Sequence, residues 1–282
     1  MEKLHIEKDT IQETLIIPLY ARKLCTELFP GVYQDHSAAE LMDRLDYDFS
    51  EIEKKSQSFM HRFGALEIAM RENDLAWEVR DYLKTHPEAA VVNLGCGLDQ
   101  TGELCDNGKC HIYNIDMPDV LSVRNQLLPP GERTTNLSAD LNDFAWFDQV
   151  DGSHGAVFFA AGVFYYFKKE EVEALFNAMA LHFPGGRLVL DTCNKMGCKM
   201  TLKTVTDAAG IAIKAEDYFH TADINDDVRP WLRSAKASAR GYMLGYDDLR
   251  DPSIPGFFRF MGKVGDNFIK MKILRIDFDE KQ

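Results

Sequence analysis

No run of apolar residues in this 282-residue chain is long enough to cross a bilayer. The longest, residues 155–167, has 13, and a membrane helix needs about 18 or more. Positive charge is also scarce: 32 Lys and Arg stand against 45 Asp and Glu, a net charge of −13. Holding a phosphate backbone requires a basic footprint, so neither nucleic acid nor a membrane surface is expected as a partner. The first nine residues are charged and lack the apolar stretch of a secretory leader. The expectation is a soluble, cytoplasmic protein. The six cysteines include no C-x-x-C pair. Cys105/Cys110 and Cys193/Cys198 are spaced too widely for a good zinc site, so no metal is expected and the cysteines are taken as reduced core thiols. Neither an internal repeat nor a low-complexity tract occurs. The remainder is ordinary globular composition, 45% hydrophobic and 27% charged.

Two halves differ in pattern. Residues 1–88 predict helices and no clear strand. Ser37 is the expected cap of one, with Glu40 three residues on. Residues 59–83 place Phe63, Leu66, Ile68, Met70, Leu75, Val79 and Leu83 near helical spacing, ending at His86-Pro87. From Ala89 strands and helices alternate. Strands are predicted at 89–94, 111–116, 134–139, 156–161 and 187–192, with a last alternating strand at 269–278. Helices are predicted at 99–106, 118–128, 142–150, 168–183, 199–209 and 216–222. Residues 223–267, rich in Asp, Gly and Pro, carry the weakest pattern. Strand–helix units in series imply an α/β doubly wound sheet. The chain divides into an N-terminal helical cap at 1–88 and a core at 89–282.

Val91-Val92-Asn93-Leu94-Gly95-Cys96-Gly97-Leu98-Asp99 is a buried strand running into a glycine-paired turn. Asp116 ends the next strand, 19 residues after Gly97, where an acid can accept both hydroxyls of an adenosine ribose. Asp140 follows the third strand. These strand ends describe a pocket for an adenosine cofactor. A dinucleotide turn wants G-x-G-x-x-G, but Gln100 stands where the third glycine belongs, and Asp99 sets a negative charge where a pyrophosphate would sit. S-adenosylmethionine has no phosphate to hold, and its cationic groups suit an acidic rim. A methyltransferase is therefore favoured over an NAD-dependent oxidoreductase. Each acid also has a plain structural role open to it, Asp116 as cap before Pro118 and Asp140 as cap of the helix at Asn142.

The glycine turn, Asn114-Ile115-Asp116-Met117-Pro118-Asp119-Val120, Ala139-Asp140-Leu141 and Ala160-Ala161-Gly162-Val163-Phe164-Tyr165-Tyr166-Phe167 together resemble the leucine carboxyl methyltransferase family, in its small-molecule branch. Ile17-Pro18-Leu19-Tyr20-Ala21-Arg22 and Asp46-Tyr47-Asp48-Phe49 add to the likeness, which extends to about residue 195. The resemblance implies a class I methyltransferase fold, its sheet mostly parallel with an antiparallel last strand. It implies S-adenosylmethionine as cofactor, S-adenosylhomocysteine as product, and a methyl group passed to a hydroxyl or carboxylate of a small molecule, a polyketide-like metabolite being one candidate. Gly95, Cys96 and Gly97 would line the methionine part, Asp116 and Met117 the ribose and adenine face, and Asp140 and Leu141 the adenine edge. Arg71 would hold the cofactor carboxylate, with Arg62 the lesser candidate, although Arg71 also suits a solvated helix charge. Tyr20, Tyr165 and Tyr166 are candidates to line the acceptor pocket or are ordinary core aromatics. Residues 193–235 would form a lid over that pocket. Ala161 stands where the family carries a glutamate, which opens a third alternative: a catalytically degenerate fold serving as a binding protein. His154, His182 and His220 each sit alone, and no catalytic base is assigned.

Overall fold

The computed structural model describes residues 3–7, 10–209, 218–243, 246 and 249–280. Four helices come first: α1 Ile16–Leu28, α2 His36–Asp43, α3 Ser50–Ser56 and α4 Phe59–Leu83. Next are β1 Ala90–Leu94, α5 Thr101–Leu104, β2 His111–Asp116, α6 Pro118–Leu127 and β3 Thr134–Ser138. The chain continues with β4 Ala156–Ala160, α7 Lys169–His182, β5 Arg187–Thr192, α8 Lys195–Ala209 and α9 Ile224–Asp227. It closes with β6 Ala235–Gly241, α10 Gly256–Val264 and β7 Lys272–Phe278.

The seven strands form one sheet in the order β3-β2-β1-β4-β5-β7-β6. The first five are parallel, and β7 runs antiparallel to both β5 and β6. Side chains alternate between the two faces of each strand, so two cores result. Val91, Ile112, Val157, Phe159 and Val189 point to the side covered by α1 and α4. Val92, Ile115, Phe158, Leu188 and Leu190 point to the side covered by α7 and Trp146. Each large apolar side chain buried there contributes about 1.5–3 kcal/mol. The N-terminal helices thus share a core with the sheet. No described helix is long and apolar enough to cross a membrane.

Some local expectations change. Ser37 is not the cap of α2. The Asp35 carboxylate accepts both the Ala38 amide at 3.1 Å and the Ser37 hydroxyl at 2.6 Å, and caps the helix two residues earlier. Asn142 does not open an α-helix; Asp143 accepts the Ala145 amide and starts a 3-10 segment, Phe144–Gln149. Residues 218–222 are not helical: Tyr218 bridges to Lys168, while 216–217 lie outside the described residues. The N-terminal region carries a two-residue parallel ladder, Leu4–His5 beside Leu45–Asp46. Strand β6, Ala-Lys-Ala-Ser-Ala-Arg-Gly, has no β-branched or aromatic residue to announce it. Antiparallel pairing with β7 makes it a strand.

Candidate active site

The strand order reverses between β1 and β4, and ligands of such sheets bind outside the carboxyl ends of the strands at that point. Gly95 and Cys96 turn away from β1 with both amides donating to the Ile115 carbonyl, at 2.8 and 3.0 Å. Gly95 has φ +66° and Gly97 φ +47°. A Cβ on Gly95 would stand 2.6 Å from Val163 Cγ2, so glycine is required there for space as well as conformation. The Cys96 side chain is buried and burial pushes its thiol well up. Only its backbone is available to a ligand.

Two buried arginines hold this turn from below. Arg124 of α6 donates to the Gly97 carbonyl at 3.0 Å and the Asp99 carbonyl at 2.6 Å, and pairs with Glu103 at 3.0 Å. Arg22 of α1 donates to the Leu98 carbonyl at 2.9 Å. Neither was singled out from the sequence. A signal was present for Arg124, which follows Val120 by four and precedes Leu127 by three on the apolar stripe of its helix.

Asp116 ends β2 with its Oδ2 accepting the Gly97 amide at 2.7 Å and Oδ1 accepting the Met117 amide at 2.8 Å. Burial raises its pKa, and the two amides act against that rise. A carboxylate has about four acceptor positions, so hydroxyls can still be received. The Asp116 carbonyl accepts the Ala139 amide at 3.0 Å, which sets Asp140 on the neighbouring strand end. Asp140 is exposed, and its Oδ1 accepts the Asn142 amide at 2.9 Å. Met117 is exposed, whereas Leu141 is buried.

Beyond β4 the chain turns at Ala161 and Gly162. The Gly162 amide donates to Asp191 Oδ1 at 2.6 Å. Asp191 Oδ2 takes Arg71 Nη1 at 3.0 Å and the Tyr165 hydroxyl at 3.1 Å. Burial opposes the Arg71 charge, but Asp191 prevails and its pKa is raised. A Cβ on Gly162 would stand 3.0 Å from Arg71 Nη1. Asp191, which sequence reasoning missed, brings a carboxylate to the stretch where Ala161 replaces the family glutamate. The apolar strand Arg187–Thr192 with an acid near its end was the available signal, the same one that marked Asp116.

The remaining candidates take these positions. Arg62 reaches Gln57 at 3.4 Å on the outer part of α4. Tyr20 stacks on Phe49 with centroids 6.5 Å apart, in the cluster beneath the N-terminal helices. Tyr165 is buried with Cys193, Cys198 and Leu202. Tyr166 is partly exposed.

Residues 14–180 match the family described as leucine carboxyl methyltransferase. The chain belongs to that family of S-adenosylmethionine-dependent methyltransferases. It is 30% identical over 182 residues to the tetracenomycin polyketide synthesis O-methyltransferase of Streptomyces glaucescens, covering 64% of this chain and 65% of that protein. It is 27% identical over 186 residues to an S-adenosyl-L-methionine-dependent methyltransferase of Gibberella zeae, covering 61% of each. The chain therefore aligns with somewhat under two thirds of either relative. Among solved structures, a DUF574 family protein of Streptomyces avermitilis superposes with TM-score 0.58 at 12% identity over 92% of this chain and 97% of that one. A protein assigned as a methyltransferase from Thermobifida fusca superposes with TM-score 0.57 at 16% identity, over 92% and 94%. These two likenesses concern the fold.

The residues present fit S-adenosylmethionine. Arg71 Nε is buried and has no hydrogen-bond partner among the described residues, which leaves an N–H for an anionic group such as a carboxylate. Gly95 and Gly162 sit where a side chain would collide with Val163 or Arg71. A pyrophosphate fits poorly. The helix after the turn, α5, has four residues, and its first amide, on Thr101, already donates to the Asp99 carboxylate at 3.0 Å.

Proposed function

We propose that this chain transfers a methyl group from S-adenosylmethionine to a hydroxyl or carboxylate oxygen of a small molecule, a polyketide-like metabolite being the favoured class. One observation carries this: Gly95, Gly97, Asp116, Asp140, Gly162 and Arg71 lie around a single carboxyl edge of the sheet, where the helix after the glycine turn has only four residues. The relative from Streptomyces glaucescens, whose name specifies O-methylation in polyketide synthesis, supports the acceptor class.

When bound, S-adenosylmethionine supplies a methyl group on a sulfonium that is already a good leaving group. The chain's own task is alignment and exclusion of water. Arg71 holds the cofactor carboxylate, with Asp191 fixing the guanidinium from the other side. Asp116 accepts from the ribose hydroxyls and keeps the Gly97 turn shaped to receive the methionine part. Asp140 accepts from the adenine amino group, with Met117 and Leu141 beside the ring. The N-terminal helices and residues 193–235 form the acceptor pocket and its lid. The six cysteines are buried and free, which supports a reducing compartment, the cytoplasm.

Thermal-shift titration with S-adenosylmethionine, S-adenosylhomocysteine and NAD in parallel tests this. A ligand at about 100 times its Kd adds about 2.7 kcal/mol, or on the order of 5–10 °C for a chain of this size. A shift with the first two alone is expected, abolished in Asp116→Ala and weakened in Asp140→Ala. A shift with NAD alone returns the oxidoreductase alternative, and no shift with any of the three leaves a non-catalytic binding fold.

A further inference from the structure

Charge is not spread evenly over this acidic chain. Residues 54–66, the end of α3 and the start of α4, hold Lys54, Lys55 and Arg62 and no acid. Residues 255–270 hold Arg259, Lys263 and Lys270 and one acid, Asp266. Asp266 is buried with its carboxylate against Gly241, so it does not face outward to offset them. Lys54, Lys55, Lys263 and Lys270 are exposed and form no ion pair among the described residues.

Aromatic rings join the two segments. Phe258 of α10 is buried and packs edge-on against Phe29, Phe59 and Phe63, with centroids 5.8, 4.7 and 5.6 Å away. That contact anchors α10 and leaves other rings outside. Phe257 and Phe260, three residues apart and so on one helix face, are 55% and 57% exposed. Phe59 lies 4.9 Å from Phe257, which lies 5.9 Å from Phe260. Met60 is exposed beside Phe59, and Phe268, in the π-helical turn Gly265–Ile269 that continues α10, is 66% exposed. Single exposed apolar residues are ordinary, but a contiguous apolar ridge flanked by cations marks an interaction surface.

Three kinds of occupant suit such a ridge, and its chemistry decides among them. A second copy meeting it about a two-fold axis would set the same lysines against one another. An acidic protein would satisfy the cations, but a protein interface carries about ten hydrogen bonds, and the polar side chains between the rings are turned inward. The Asn267 amide donates to the Lys263 carbonyl at 2.9 Å, and Arg259 to the Leu249 carbonyl at 3.1 Å. An anionic bilayer asks for neither a matching groove nor hydrogen bonds. Phenylalanines enter the acyl boundary while lysines stay among the headgroups, as in a helix lying in the membrane interface. We propose that the face formed by Phe59, Met60, Phe257, Phe260 and Phe268 seats this chain on an anionic lipid surface. The net charge of −13 argues against such a partner for the chain as a whole, but at about 0.1 M salt charges beyond about 10 Å are screened, and the charge of this one face governs. Asn194, three residues past Asp191, donates to the Phe268 carbonyl at 2.9 Å, so the seat adjoins the chain leaving β5.

The test is co-sedimentation of the full chain, without cofactor, with vesicles of phosphatidylcholine alone and with about one third phosphatidylserine. Wild type is compared with the double variants Phe257→Ser/Phe260→Ser and Lys54→Glu/Lys263→Glu. The replaced side chains are exposed, so both variants should keep the wild-type melting point and the wild-type affinity for S-adenosylhomocysteine. Wild type should bind the mixed vesicles about tenfold or more tighter than the neutral ones. Each lysine at the surface is worth about fivefold, so the glutamate variant should bind about 25-fold or more weakly, and raising salt to about 0.5 M should weaken wild type likewise. The serine variant should lose about tenfold or more through the lost apolar burial. Wild type that sediments with neither vesicle, or a serine variant that sediments as well as wild type, overturns the proposal. A vesicle-free dimer that the serine variant dissociates assigns the face to a second copy, and capture of polyglutamate in place of vesicles assigns it to an acidic protein; either result overturns the lipid assignment.

Discussion

Asp191 Oδ2 lies 3.0 Å from Arg71 Nη1, with Asp191 buried, Arg71 largely so, and the other Asp191 oxygen taking the Gly162 amide at 2.6 Å. One carboxylate thus fixes the guanidinium and the turn after β4 together. Asp191→Asn keeps the shape and strands the Arg71 charge. Removing one partner of a buried pair costs about 3–5 kcal/mol, a melting point lower by about 6–20 °C. S-adenosylhomocysteine should recover more of the melting point in the variant than it adds to the wild type, because its carboxylate becomes the missing counter-charge. Scanning calorimetry with and without the ligand reads both effects, and an unchanged melting point would show that the pair is not coupled to stability.

Gly95 combines a positive φ with contact against Val163, whose Cγ2 would lie 2.6 Å from an added Cβ. Gly95→Ala should cost about 1–3 kcal/mol from backbone strain alone, with the collision added. Val163→Ala in the same chain should relieve the collision and leave the strain. Urea denaturation of the two single variants and the double variant separates the parts, and purely additive losses would mean that the side-chain collision contributes nothing.

What could be read in advance followed from periodicity and from residues with a single plausible use. The bounds of α4, the strand before Gly95 and the strand ending at Asp116 all rested on apolar spacing that their burial matches. Strand β6 escaped because its Ala-, Lys- and Ser-rich stretch has no intrinsic preference and is held by its partner β7. Arg22, Arg124 and Asp191 escaped for another reason. Charged residues on apolar stripes are by default assigned to solvent, and nothing local says that a loop carbonyl or an opposing guanidinium 25 to 120 residues away, as the Arg71–Asp191 pair at 120, will receive them.

Arg124 is fully buried and holds the Gly97 and Asp99 carbonyls together with Glu103. Arg124→Met should fill most of the space but leave those three acceptors without their donor, at a cost of about 3 kcal/mol or more. Arg124→Lys keeps the charge but lacks the planar fork needed to serve all three, so it should recover only part of the loss. Both variants should weaken S-adenosylhomocysteine binding without touching the ligand, since the Gly97 turn loses its support. Calorimetric titration beside urea denaturation checks this, and full affinity in a destabilised Arg124→Met would show that the turn keeps its shape unaided.

Glu67 makes stability itself depend on pH. Burial raises its carboxyl from 4.5 to about 8 in the folded chain. The folded state therefore binds the proton more tightly than the unfolded state, and stability must fall as pH rises between those two values. Below about 4.5 the carboxyl is neutral in both states and the penalty is absent; above about 8 it is ionised in both and the penalty is complete. Glu72, raised to about 7 mainly by burial, adds to the same slope in the wild type. Glu67→Gln removes one contribution and keeps the other. Its melting point relative to wild type should rise steadily from pH 5 to pH 8 and level off beyond, with Glu72 common to both proteins. A difference that stays flat across that range would place the Glu67 carboxyl in water rather than against Tyr242, Asp266 and Met271.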